Sequence, residues 1–89
     1  MNTHYLEVTY RRGRAIAGYY YLPRRPGQRS VRTRRAECGL LVDYARGGRP
    51  IGIEISNPGA LSVAAFNRVL RELGMPPVRR ADVAPVLAS

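Results

Sequence analysis

The chain has 89 residues with 15 basic and 6 acidic side chains, a formal charge of +9 at neutral pH, which is the size of one small domain with a thin core. At 45% hydrophobic and 24% charged residues its composition is globular and excludes wholesale disorder, and no apolar run approaches the ~20 residues of a membrane span. The polar start Met1-Asn2-Thr3-His4 lacks signal-peptide order, and one cysteine (Cys38) with one histidine (His4) leaves no internal disulfide or zinc cluster, so a soluble, cytoplasmic chain without a cofactor is expected.

Residues 5–10 alternate, with Leu6, Val8 and Tyr10 on one face and Tyr5, Glu7 and Thr9 on the other, a strand pattern. Residues 11–14 read as a turn in which Gly13 is suited to a positive φ. Residues 15–22, with Ile16 and Tyr19-Tyr20-Tyr21, read as the second strand of a hairpin. Two prolines, a glycine and three arginines make 23–30 a surface loop. A third strand is expected over 31–36, with Val31 and Thr33 inward and arginines at 32, 34 and 35, which suits a sheet edge.

Leu40, Val42 and Tyr44 then alternate with Leu41 and Asp43, and Ile51, Ile53 and Ile55 alternate with Gly52 and Glu54. A two-residue Gly47-Gly48 loop would pair Tyr44 with Ile51, Val42 with Ile53 and Leu40 with Ile55, with Pro50 opposite Ala45. A loop of three or four residues is the alternative. Past Asn57-Pro58-Gly59 the period becomes helical, with Ser62 as N-cap and Leu61 placed to staple onto Phe66. Phe66, Val69, Leu70 and Leu73 form one apolar face, and Gly74 and Pro76-Pro77 stop the helix, which is expected at about 62–73. Residues 75–89 form a docking segment with one helical turn before Pro85, Val83, Val86 and Leu87 as contacts, and a frayed end. No repeat or linker divides the chain. The expectation is a single α+β domain over 1–89: an antiparallel meander of about five strands within 5–56, with one C-terminal helix packed on one face.

The run Gly39-Leu40-Leu41-Val42-Asp43-Tyr44 with Gly52-Ile53-Glu54-Ile55 resembles the motif of the small bacterial proteins grouped as domain of unknown function 2283. The resemblance spans residues 5–55 and marks Asp43, Gly52, Ile53, Glu54 and Ile55. It implies short, non-enzymatic proteins of the antitoxin-like kind that partner small toxins. The chain departs from that pattern in Arg11, Arg12 and Arg14, where acidic residues are usual in the first turn, and in Ala45, where a second acid is usual. A mask for a basic ribonuclease would gain from being acidic.

Asp43 and Glu54 share one outward face and could in principle bind a metal or do acid/base work. Their diagonal placement, with Arg32 or Arg34 of the neighbouring strand between them, fits cross-strand charge pairing instead. Catalysis lacks parts, because His4 on a mobile terminus is the only imidazole base. Cys38 reads as a small buried residue.

Every basic side chain is arginine, which a GC-rich genome explains, but the excess of positive charge is not explained that way and attracts anions. Arg24, Arg25, Arg29, Arg32, Arg34 and Arg35 cluster in sequence, and Arg11, Arg12 and Arg14 are expected at the same end of the sheet. With Tyr19 and Tyr21 on an open face, arginines could meet phosphates while tyrosines stack on bases. A single helix cannot cover both faces of a sheet, so Tyr19, Tyr21 and Leu41 are expected to form an interface with a second copy or a small protein partner. The sequence thus reads as a non-catalytic interaction module, protein-binding (homo-oligomeric or antitoxin-like), with nucleic-acid binding through the arginine loop as the alternative.

Overall fold

In this computed structural model, which describes residues 4–87, the alternation near the start of the chain produces β1 (Tyr5–Arg11) and β2 (Arg14–Tyr21). Arg12 and Gly13 form the loop between them, at φ of 54° and 76°. Positive φ at both positions matches the right-handed twist of the strands, and glycine adopts it without steric cost. Thr9 pairs with Ala17 and Tyr10 with Ala15, so Ile16 is an extra residue on its strand, a β-bulge. Leu6 and Val8 pack on the core as expected. Tyr10, expected beside them, lies next to the bulge and is 56% exposed.

β3 (Arg32–Arg35), β4 (Leu40–Tyr44) and β5 (Pro50–Ile55) complete a five-stranded antiparallel sheet. Its order, β1-β2-β5-β4-β3, is not a simple meander. β5 pairs with β2, and residues 22–31 carry the chain to the far edge, where β3 pairs with β4. Burial explains the order. Ile51, Ile53 and Ile55 are wholly buried and suit a central strand, whereas β3 is four exposed residues, three of them arginine. Val31 lies outside the strand and is exposed. Thr33, expected inward, pairs with Asp43 on the side away from the core.

In the β4–β5 hairpin Leu40 faces Ile55 and Val42 faces Ile53, as the pattern requires. Nearer the loop the register shifts, and Tyr44 faces Pro50 rather than Ile51. The loop has three residues, because the Ala45 N–H donates to the Arg49 carbonyl at 2.8 Å around Arg46-Gly47-Gly48. Both glycines hold φ near +90°, which side chains resist.

The helix begins where its cap predicts. Ser62 Oγ accepts the Ala65 N–H at 3.1 Å, and α1 (Val63–Glu72) buries Ala65, Phe66, Val69 and Leu70. Gly74, at φ 72°, donates to the Arg71 carbonyl and Met75 to that of Leu70, closing the C-terminus in a Schellman arrangement. Ser62→Ala is expected to lower stability by about 1 kcal/mol, read as a fall in the urea midpoint.

A second helix, α2 (Arg80–Leu87), replaces the single turn expected before Pro85. Asp82 Oδ2 accepts the Arg79 N–H at 2.8 Å at its start. Pro85 removes one N–H that would reach back to the Ala81 carbonyl, and complete burial of Val83 and Val86 offsets that loss. Asn67 ties the connection to α1, donating to the Val78 carbonyl at 3.1 Å and accepting its N–H at 2.8 Å. The fraying expected at the chain end lies outside the described residues.

Both helices lie on one face of the sheet. Phe66, Val69, Leu70, Val78, Val83 and Val86 share a buried cluster with Tyr20, Leu22, Val42, Ile53 and Ile55. Among the described residues no helix is long and apolar enough to cross a membrane. One smaller expectation is corrected. Cys38 is half-buried, at φ 57° in a 3-10 turn (Glu37–Gly39), because the chain reverses there to enter β4. The His4 ring lies against Tyr20, with centroids 5.6 Å apart.

Candidate functional site

Alternation fixes what the other sheet face carries. With Tyr20, Val42 and Ile53 under the helices, their strand neighbours Tyr19, Tyr21, Leu41, Asp43, Gly52 and Glu54 point the opposite way. Tyr5 stacks on Tyr21 with ring centroids 4.4 Å apart, and Tyr19 meets Tyr21 edge-on at 4.7 Å. This row lies on the β1–β2 side of the face that neither helix covers, with Tyr5 exposed and Tyr19 and Tyr21 half-buried. Tyr19, Tyr21 and Leu41, singled out from sequence as interface residues, are all half-buried here.

The row is held by carboxylates. Tyr21 donates its hydroxyl to Glu7 Oε1 at 3.1 Å. Tyr19 lies across the middle of β5 and donates to Asp43 Oδ2 at 2.8 Å, while Thr33 donates to Asp43 Oδ1 at 2.6 Å. Three hydrogen-bonded strands, β2, β4 and β3, thus converge on one carboxylate, with β5 spanned between. The crossing requires Gly52, since a Cβ there would fall inside the Tyr19 ring and hydroxyl. Burial, and then the Asp43 hydrogen bond, push the Tyr19 phenol up to about 12, so it remains a proton donor throughout the neutral range.

The arginines expected between Asp43 and Glu54 are elsewhere. Arg32 stacks its guanidinium 4.6 Å from the Tyr44 ring centroid, and Arg34 Nε donates to the Tyr44 hydroxyl at 3.1 Å, both on the helix side of the edge strand. Period-two alternation requires this, because Arg32 and Arg34 pair with Tyr44 and Val42 rather than with Asp43. Arg24 is also engaged, with Nη2 donating to the Ile51 carbonyl at 2.6 Å and its guanidinium over the Tyr21 ring.

Strand directions separate the remaining candidates. Tyr21 pairs with Gly52 and Gly18 with Ile55, so the Arg12-Gly13 loop and the 22–31 connection lie at opposite ends of the sheet. Arg11, Arg12 and Arg14 therefore do not join the loop arginines, contrary to expectation, and line their own shallow groove with Ile16. At the other end Arg29 and Arg46 line a second groove with Val31, and Arg25 and Arg49 are exposed nearby. Arg46 and Arg49 escaped sequence reasoning because loop position alone carries no sign of what lies beside it.

Charge is uneven over the surface. Glu7, Asp43 and Glu54, three of the six acidic residues, occupy the open sheet face, while the arginine groups lie at its two ends and along its β3 edge. Among the described residues no group of three or more histidine, cysteine, aspartate or glutamate side chains is placed to hold a metal ion.

No family model, curated protein or solved structure matches the chain. At Asp43 and along Gly52–Ile55, the structure gives the residues these places. Ile53 and Ile55 are core, Asp43 is the shared acceptor, Gly52 is the gap beneath Tyr19, and Glu54 stands half-buried on the open face.

Proposed function

We propose that this chain is a non-catalytic protein-binding module, homo-oligomeric or antitoxin-like, that meets its partner with the open sheet face. The observation that carries this reading is the Tyr5-Tyr21-Tyr19 row on the face neither helix covers, with Tyr21 held by Glu7, Tyr19 by Asp43, and Tyr5 stacked on Tyr21. Aromatic rings already held in one rotamer give up little freedom on binding, and tyrosine is enriched at protein interfaces. The carboxylates on the same face disfavour a polyphosphate chain there. They also have tasks in the fold: Asp43 accepts from Tyr19 and Thr33, and Glu7 from Tyr21, which supports a structural role over an acid/base one.

The test is co-expression with the product of the adjacent gene, together with sedimentation velocity of the chain alone. A stable complex of either kind, lost in Leu41→Arg and retained when Arg25 and Arg29 become serine, is the expected result. A chain that takes up no neighbouring product and shows no self-association broken by Leu41→Arg would overturn the reading.

The second reading, nucleic-acid binding, is favoured by the end of the sheet where Arg29 and Arg46 share a groove with Arg25 and Arg49 nearby. Its signature is anisotropy of labelled single-stranded RNA or duplex DNA with a log K against log salt slope of roughly −0.7 to −0.9 per neutralised phosphate. On the protein-binding reading, micromolar affinity that survives physiological salt and disappears in the Arg25/Arg29 serine variant is not expected.

A further inference from the structure

The two edges of the sheet are built differently. β3 presents four exposed residues of which three are arginines, the kind of edge that resists a new strand. β1 is seven residues long, contains no proline, and its only charges are Glu7 and Arg11. Tyr5, Tyr10 and Ile16, three of the four exposed large hydrophobic residues among those described, all belong to the β1–β2 hairpin. Leu6 and Val8 are half-buried there, at the rim of the core.

Backbone geometry gives that edge a direction. Arg11 and Arg14 flank a two-residue loop, so they exchange hydrogen bonds, and alternate residues of β1 bond to β2. Leu6, Val8 and Tyr10 therefore aim their N–H and C=O groups outward. We infer that a second copy of this chain pairs antiparallel with the outer edge of β1, about a two-fold axis at Thr9. This contact lies on the edge, not on the open face, and does not depend on the reading above.

The register is self-complementary. Thr9 meets Thr9 of the second copy, Val8 meets the second copy's Tyr10, and Glu7 meets the second copy's Arg11, the last two pairs occurring twice by symmetry. Threonine pairs, an aromatic against a β-branched residue, and opposite charges are the favoured cross-strand combinations. Glu7 keeps an oxygen for this, since Tyr21 donates only to Oε1. The half-buried Val8 would be capped by a tyrosine ring that is 56% exposed in one copy. Pairing in this way joins the two sheets into one.

Sedimentation velocity over a concentration series tests the inference, at ~0.15 M salt where the Debye length of about 8 Å damps repulsion between two cationic chains. The expected mass is about twice the 9.9 kDa of one chain. Arg11→Glu and Glu7→Arg each place like charges opposite one another and should raise the dissociation constant about tenfold or more. The double swap should restore it, with far-UV circular dichroism unchanged in all four proteins. A monomer at every concentration, a dimer unmoved by Arg11→Glu, or a double swap that stays dissociated overturns the edge pairing. A dimer lost in Leu41→Arg but not in Arg11→Glu also overturns it, and leaves the open face as the contact.

Discussion

Replacing Gly52 with alanine is expected to lower folding stability by about 2–4 kcal/mol, a large effect for one methyl group. The added Cβ would occupy the space of the Tyr19 hydroxyl, Cζ and Cε2, so the ring must leave the surface of β5. Overfilling a packed site costs about 1–3 kcal/mol. Displacing the ring also removes the 2.8 Å hydrogen bond to Asp43, a charge-assisted bond of about 1.5–3 kcal/mol, and the two losses overlap because relief of one is the other. Urea unfolding in a double-mutant cycle separates this from a general intolerance of the strand. With Tyr19→Ala already in place, Gly52→Ala should be nearly neutral. An equal loss with and without the Tyr19 ring would remove the explanation.

Alkaline pH is expected to weaken the fold between about pH 10 and 12. Tyr19 is raised from 10.0 to about 12 in the folded chain, first by burial and then by its bond to Asp43. In the unfolded chain the phenol titrates near its ordinary value, so the stability tied to the folded shift is complete below that value. It is lost as pH rises through the folded one. Two pH units correspond to at most about 2.7 kcal/mol, and partial solvent access to the ring reduces that to about 1–2 kcal/mol. Tyr20 and Tyr21 shift in the same direction, Tyr20 by burial and Tyr21 by burial and Glu7, which deepens the fall. Urea midpoints measured from pH 9 to 12 should decline, and Tyr19→Phe should remove a measurable share of the decline. Asp43→Asn should bring the Tyr19 titration down, though not fully to 10, because burial is the larger cause. A midpoint flat across this range, or a decline unchanged in Tyr19→Phe, contradicts the assignment.

What sequence made legible follows from the range of the interaction involved. Ser62, Leu61 and Phe66 announced α1 because capping and helical periodicity act over a few residues. Leu40 with Ile55 and Val42 with Ile53 could be matched because two-sided alternation and a glycine turn leave little freedom of register. The position of β3 could not be read, because the proline- and arginine-rich stretch before it is compatible with either edge of the sheet. α2 was hidden by Pro85, whose effect on a short helix depends on how much Val83 and Val86 bury against β2. The Tyr19–Asp43 bond joins strands that are adjacent neither in sequence nor in the sheet, so no local pattern encodes it. One sign was present: a glycine within an isoleucine-rich strand commonly marks a close approach by another group, and Gly52 is such a residue.

The strand order also governs how the molecule assembles. β1 with β2, and β3 with β4 and β5, are two locally connected parts whose strands pair with one another only at β2 and β5. Each part can begin to form from contacts close in sequence, but neither has a complete hydrophobic face until the other docks. Tyr19 and its acceptor Asp43 belong to different parts, so their bond can exist only after docking. That bond therefore favours the docked state without helping either part alone, and it makes the sheet gain and lose structure as a single cooperative unit rather than half by half.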